Sequence, residues 1–241
     1  MNTYWIRSAA VTAMALAGLQ AQAASVTLTG WAFNGGGNQV TTTLYSGQAG
    51  AFKGSLTGTG STDTNNFVTY CIELSEFFSF SPTPMANFAV VDGASYFQSR
   101  RSDANIAERL GRLLTFVAQD PTRVDSAAES TSMQLAVWNM VYDTDWTVSA
   151  SSSYRDFSPF RAYADTLLAG AQSVAASGFD VFALERAGTQ DFLLATQRPL
   201  RNDPSANGVP EPTSLALVAL ALAGAGAARK RGVSRAGAAA A

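Results

Sequence analysis

The chain of 241 residues contains no histidine, and this absence excludes several common functions together. Ser-His and Cys-His catalysis needs an imidazole as proton acceptor, and the usual zinc sites use imidazole nitrogens as ligands. The chain therefore lacks the imidazole on which most familiar hydrolase mechanisms depend. The sequence predicts a protein that is not an enzyme and that holds neither a metal ion nor another cofactor.

Cysteine and lysine are almost as scarce. Cys71 is the only cysteine, so no disulfide can form within the chain. Between residues 24 and 208 there are 11 basic and 17 acidic side chains, a net charge of −6, and Lys53 is the only lysine among them. An acidic segment without basic clusters argues against nucleic acid as a partner.

The first 23 residues have the three parts of a secretory signal peptide. A single cation, Arg7, precedes an apolar run over residues 8–19, and a small-x-small sequence follows at residues 21–23. The run is too short for a bilayer-spanning helix, and it lacks the polar face of a helix packed on a folded domain. We expect cleavage after Ala23.

The other end of the chain has a short motif, an apolar segment and a basic cluster in succession. The motif and the cluster are Val209, Pro210, Glu211 and Pro212, and Arg229, Lys230 and Arg231. The apolar segment between them, residues 213–228, reaches roughly 24 Å as a helix, against roughly 30 Å for the hydrocarbon core. It predicts a short transmembrane helix that spans by snorkelling or bilayer thinning. The basic cluster and the tail, residues 232–241, are then cytoplasmic.

This C-terminal arrangement, over residues 209–231, closely resembles the PEP-CTERM sorting signal of Gram-negative bacteria that secrete exopolysaccharide. The resemblance implies that Pro210, Glu211 and Pro212 form a processing site for an exosortase, a membrane-embedded enzyme. It also implies export through the inner membrane, an anchored ectodomain in the periplasm, and transfer to the cell surface or extracellular matrix after processing. A plain tail anchor is the alternative.

Residues 24–208 form the predicted ectodomain, and its pattern changes partway along the chain. Residues 25–80 contain short alternating runs rich in threonine, glycine and aromatic residues, which predict antiparallel strands. From about Asp103 the apolar residues recur at helical spacing. Two runs that flank Gly188 then predict a closing hairpin. The expected fold class is α+β, an antiparallel sheet or sandwich with an inserted helical block.

Three helices are predicted in the block. The first begins near Asp103. The second begins at Ser126, where a capping box with Glu129 is expected, and runs to about Tyr142. The third begins with Ser158 as its cap and ends before residue 178.

Two short segments can carry chemistry: Tyr-Cys-Ile-Glu-Leu around Cys71, on a predicted strand, and the second predicted helix, which contains Gln134. At 100° per residue Gln134 falls inside the apolar arc of its helix. A carboxamide there needs a partner or costs about 1–3 kcal/mol. A thiol pressed against a carboxamide away from water can condense to a thioester with loss of ammonia. The alternative is a buried free cysteine beside a hydrogen-bonded core glutamine.

The segments Tyr-Cys-Ile-Glu, residues 70–73, and Met-Gln-Leu-Ala-Val-Trp, residues 133–138, resemble the motifs of the Cys-Gln thioester domains of bacterial surface adhesins. The resemblance implies a Cys71–Gln134 thioester that Tyr70 and Trp138 shield from water and that amines on a host or matrix surface attack to form an amide. The expected function is that of an anchored adhesin or extracellular-matrix component with an amine-bearing ligand. A non-covalent carbohydrate-binding or structural protein of the exopolysaccharide layer, with a polysaccharide ligand, is the alternative.

Two acidic pairs are weaker signals. Asp143 and Asp145 follow the second predicted helix, and a solvated loop explains them better than a calcium site because EF-hand spacing is missing. Glu73 and Glu76 lie three residues apart on a predicted strand, and therefore on opposite faces. That placement argues against the carboxylate pair of a glycoside hydrolase.

Overall fold

The computed structural model describes residues 23–143, 145–150 and 153–198. The chain divides into two units, Met1–Thr196 and Gln197–Ala241, and nearly all described residues belong to the first. The predicted signal peptide up to residue 22, the apolar segment with its flanking motif and basic cluster, and the tail all lie outside the described residues. No helix in the described part of the chain has the length and apolar composition needed to span a bilayer.

Eight strands are described, and the pairs between them are antiparallel. They are β1 (Ala23–Trp31), β2 (Asn38–Thr41), β3 (Ser46–Ala49), β4 (Phe52–Thr57), β5 (Thr64–Thr69), β6 (Met85–Asp92), β7 (Phe179–Arg186) and β8 (Thr189–Gln197). One sheet of six strands has the order β5-β4-β1-β6-β7-β8, and β2 and β3 form a separate ribbon. Alternate residues of β1, such as Val26 and Leu28, enter the core.

The six-stranded sheet curls until its two ends meet. Just past β5, Cys71 forms an antiparallel bridge with Phe192 of β8. Backbone hydrogen bonds of 3.2 and 3.0 Å on either side of the bridge join residues 70–72 to residues 191–193. The sheet is therefore close to a barrel, and the sandwich form of the prediction is wrong. The antiparallel pairing and the return of the closing strands to the first sheet, through β6 and β7, are confirmed.

The helical block lies between β6 and β7. Its members are α1 (Gly93–Arg101), α2 (Asn105–Ala118), α3 (Ala127–Tyr142) and α4 (Arg161–Ser173). Helix α3 is buried on all sides from Ser130 to Val141, which makes it the central element of the unit. Its start is fixed by the predicted capping box, in which the Ser126 hydroxyl and the Glu129 backbone and carboxylate bond reciprocally.

The structure confirms α2 and α3 and corrects the start of α4. Ser158 was expected to cap α4, but its hydroxyl donates to Asp156 at 2.6 Å, and the helix begins at Arg161 after Phe160. The sequence pattern did not reveal β6 or α1. Helix α1 is marked by its cap, since Asp92 accepts a hydrogen bond from the Ser95 N–H.

Residues 74–80 form an irregular loop, although the alternating pattern predicted a strand up to residue 80. The Glu73 carboxylate accepts the backbone N–H groups of Ser75 at 2.6 Å and of Glu76 at 2.9 Å. These bonds give the backbone an alternative to a strand ladder. Glu73 and Glu76 therefore do not lie on opposite faces of a strand, and that argument is wrong.

Candidate functional site

The two residues that the sequence singles out for chemistry, Cys71 and Gln134, meet in the interior. Both are buried. The Cys71 N–H donates to Gln134 Oε1 at 2.9 Å, and Gln134 Nε2 donates to the Cys71 carbonyl, also at 2.9 Å. The carboxamide thus pairs with the Cys71 backbone as a peptide group of a neighbouring strand would.

The closing of the sheet explains why Cys71 needs this partner. Opposite Phe192, Cys71 occupies a position whose own N–H and C=O point away from β8, because the flanking residues make the bonds. On the other side, β4 begins at Phe52, which already pairs with Thr69. The Gln134 carboxamide supplies the missing donor and acceptor, as buried backbone groups require.

Two more polar side chains of α3 bond to the backbone where β3 ends and β4 begins. The Ser130 hydroxyl accepts the Ala51 N–H at 2.7 Å, and the Thr131 hydroxyl donates to the Ala49 carbonyl at 2.8 Å. Ser130 lies one helical turn before Gln134, so both side chains lie on neighbouring parts of one helix face. This face of α3 therefore fixes the position of Gln134 relative to the sheet.

A cavity of about 470 Å³ opens beside Cys71 and Gln134. Seven of its fifteen lining residues are aromatic, and the loop 74–80 provides three of these seven. Trp31, Phe52 and Phe80 pack with ring centroids 5.0 to 5.8 Å apart. Phe77 leaves 74% of its surface exposed. The site therefore combines a buried thiol and carboxamide with an apolar chamber of ligand size.

Trp138, which was expected to shield the pair, lines this cavity. Its ring packs against Tyr45 with centroids 5.0 Å apart, and its buried indole N–H has no hydrogen-bond partner among the described residues. Tyr70, the other expected shield, is not among the residues that line the cavity. It precedes Cys71 in an extended segment and is itself buried.

Burial controls the ionisation of the site. It raises the pKa of the Cys71 thiol well above its ordinary value, and the Glu73 carboxylate raises it further. Burial also raises the pKa of Tyr45, with a smaller contribution from Cys71. The sulfur is therefore a neutral thiol at physiological pH, unlike the exposed thiolates of redox-active cysteines.

The loop 74–80 is fastened to the closing hairpin by hydrogen bonds that involve Glu76 and Gln190, of which the sequence did not single out Gln190. Gln190 Nε2 donates to the Glu73 carbonyl at 2.7 Å and to its carboxylate at 3.0 Å. Glu76 Oε1 accepts the Gly188 N–H at 2.8 Å. These partners are 117 and 112 residues apart in sequence, so no local pattern reveals them.

The Asp143–Asp145 pair serves the loop after α3. Asp143 accepts the Tyr154 N–H at 3.0 Å, and Asp145 accepts the Thr147 N–H at 3.0 Å. Within the described ranges, no three histidine, cysteine, aspartate or glutamate side chains gather as a metal site would require.

The chain matches a known protein family near its C-terminal end, beyond the described residues. Residues 208–231 match the PEP-CTERM protein-sorting motif. The motif identifies an exported cell-surface protein that an exosortase sorts at the membrane. None of the curated proteins compared with the chain matches it.

Proposed function

We propose that this exported protein is a surface adhesin or matrix component that binds amines covalently through a thioester between Cys71 Sγ and Gln134 Cδ. The observation that carries the proposal is the pair of 2.9 Å hydrogen bonds between the Gln134 carboxamide and the Cys71 backbone. They hold the carboxamide carbon beside the residue that bears the only thiol of the chain.

The thioester forms by replacement of the amide nitrogen of Gln134 with the Cys71 sulfur. The Cys71 sulfur attacks Gln134 Cδ, the Cδ–Nε2 bond breaks, and the thiol proton leaves with the nitrogen as ammonia. Negative charge develops on Oε1 during the attack, and the Cys71 N–H already donates to that oxygen at 2.9 Å. Loss of Nε2 removes the hydrogen-bond donor to the Cys71 carbonyl, whereas the Cys71 N–H keeps Oε1 as its acceptor. A buried carbonyl without a partner is better tolerated than a buried N–H without one.

The surroundings favour reaction with amines rather than with water. Cys71 and Gln134 are buried, and aromatic side chains line the cavity beside them. A primary amine that enters the cavity attacks Cδ, forms an amide and releases the Cys71 thiol. The bond forms once per chain and is not regenerated, so the protein is a binding module and not an enzyme.

Intact-mass measurement of the purified full chain tests the proposal. The expected mass is lower than the sequence mass by one ammonia, and incubation with methylamine adds one methylamine. The matched control Cys71→Ser has the full sequence mass and does not change. A wild-type mass that retains the ammonia and is unaffected by methylamine contradicts the proposal.

The aromatic cavity also supports non-covalent carbohydrate binding as a second candidate. Sugar rings stack on aromatic faces, and Trp31, Phe77 and Phe80 line the cavity with the polar side chains of Gln48 and Ser79. Polysaccharide binding that is lost in Phe77→Ala and retained in Cys71→Ser favours this candidate. Binding that is unchanged in Phe77→Ala counts against it.

For the sorting segment, we propose that exosortase processes the chain at residues 209–212 and that residues 213–228 anchor the precursor in the inner membrane. The succession of prolines, apolar residues and a basic cluster supports this proposal. Replacing Pro210, Glu211 and Pro212 by alanine is expected to keep the protein in the membrane fraction at precursor length. Normal release of that variant contradicts the proposal.

A further inference from the structure

Among the described residues that line the Cys71–Gln134 cavity, Glu76 is the single carboxylate. Its Oε1 is fixed by the Gly188 N–H at 2.8 Å, and its backbone N–H is fixed by Glu73. Gly188 adopts a φ of 74° in the turn between β7 and β8, a conformation that favours glycine. The carboxylate is therefore held in place by the scaffold although the loop that carries it is irregular.

The rest of the cavity suits a cation. Seven of its lining side chains are aromatic, and aromatic faces attract ammonium groups when water is excluded. The cavity has no basic side chain among its described lining residues, so nothing there competes for the carboxylate.

We propose that Glu76 receives the incoming amine as an ammonium ion and removes its proton, so that Glu76 is the general base of the amine reaction. This inference rests on the thioester proposed above. An alkylamine is almost wholly protonated at neutral pH and has no lone pair for attack until it loses a proton. With no histidine in the chain, a carboxylate at the cavity is the available base.

The proton balance is complete. The ammonium ion transfers one proton to Glu76, and the neutral nitrogen attacks Gln134 Cδ. As the C–S bond breaks, Glu76 returns that proton to the Cys71 sulfur, which leaves as a thiol. The second nitrogen proton passes through Glu76 to solvent. Burial favours the neutral thiol over the thiolate at this position, consistent with that route.

The test compares two nucleophiles on the full chain, in wild type and in Glu76→Gln. Glutamine keeps an oxygen that can accept the Gly188 N–H, so the loop is expected to stay in place. Methylamine is protonated at pH 7, whereas hydroxylamine is neutral. We expect the methylamine rate to fall about 100-fold and the hydroxylamine rate to change less than about threefold. Glu76→Asp is expected to recover part of the methylamine rate, and Glu185→Gln, away from the cavity, to match wild type.

Intact mass before the amine is added separates the two possible failures. A mass lower by one ammonia in Glu76→Gln, with an unchanged methylamine rate, overturns the role of Glu76 and leaves the thioester standing. Equal losses with both nucleophiles overturn it as well, because they show disturbed structure rather than a missing base. If wild type itself retains its ammonia, the thioester fails and the role of Glu76 fails with it.

Discussion

Helix α3 buries two carboxamides, Gln134 and Asn139, on different sides. One carboxamide contacts the sheet and the other contacts the loop that follows the helix. Both side chains are 0% exposed. Gln134 pairs with the backbone where the sheet closes, beside a cavity and a thiol. Asn139 Nδ2 donates to the Thr147 carbonyl at 2.9 Å and to Asp145 at 3.3 Å, and so holds the loop that follows the helix.

The difference shows that a buried amide is not in itself a sign of chemistry. Both carboxamides satisfy buried partners, and each would be costly to remove. Only Gln134 also lies next to the Cys71 thiol and the cavity. On the sheet side, where Gln134 lies, the partners of the carboxamide are neutral backbone groups. On the loop side, Asn139 bonds to the Asp145 carboxylate, and Asp143 and Asp145 hold the loop that follows. The two sides should therefore respond differently to truncation and to pH.

The largest expected effect is on the sheet side. Gln134→Ala leaves the buried N–H and C=O of Cys71 without partners, and we expect a loss of about 2–4 kcal/mol in the free energy of unfolding. The comparison is made in a Cys71→Ala background, so that no thioester contributes to either protein. Urea denaturation monitored by tryptophan fluorescence provides the measurement.

Gln39→Ala is the matched control, since Gln39 is exposed on β2 and its amide makes one long contact of 3.4 Å. It is expected to change stability by less than about 0.5 kcal/mol. A loss at Gln134 no larger than at Gln39 would show that water or a rearranged strand replaces the carboxamide, and the distinction between the two sides of α3 would disappear.

The sequence predicted the α3 side of the site better than the sheet side, and the physical reason is range. The Ser126 capping box and the burial of Gln134 follow from spacings within one or two helical turns. The bridge between Cys71 and Phe192, by contrast, joins segments that local patterns treat separately. The loop 74–80 has the alternating composition of a strand, and the Glu73 carboxylate overrides it by bonding to Ser75 and Glu76. The cavity depends on both of these features.

The next effect is on the loop side. Asn139→Ala removes two hydrogen bonds, but it also removes Oδ1, which has no partner among the described residues. We expect a loss of about 1–2 kcal/mol, smaller than at Gln134. The intact mass and the methylamine reaction are expected to remain those of wild type. Asn66→Ala, at an exposed position of β5, is the control. A variant at Asn139 that loses the methylamine reaction would show that the two sides of α3 are coupled.

The smallest effect is the pH dependence of the loop side, where Asp156 is buried. Its Oδ2 accepts the Ser158 N–H at 3.2 Å and hydroxyl at 2.6 Å, while its Oδ1 has no partner among the described residues. Burial raises the pKa of Asp156 above its ordinary value, although the bonds from Ser158 oppose the rise. The folded state therefore binds this proton more tightly than the unfolded state does.

The sign of the effect follows from that difference. The stabilisation linked to Asp156 is complete below the unfolded pKa and is lost as pH rises through the higher folded pKa. Asp156→Asn removes this titration, so its stability relative to wild type should increase between pH 4 and 7, measured by urea denaturation at each pH. Asp63→Asn is the opposite control: hydrogen bonds from Thr59 lower the pKa of Asp63, so wild type gains stability over that variant as pH rises towards about 4, and the difference stays nearly constant at higher pH. A stability difference between Asp156→Asn and wild type that stays constant from pH 4 to 7 would mean that the buried position of Asp156 does not raise its folded-state pKa.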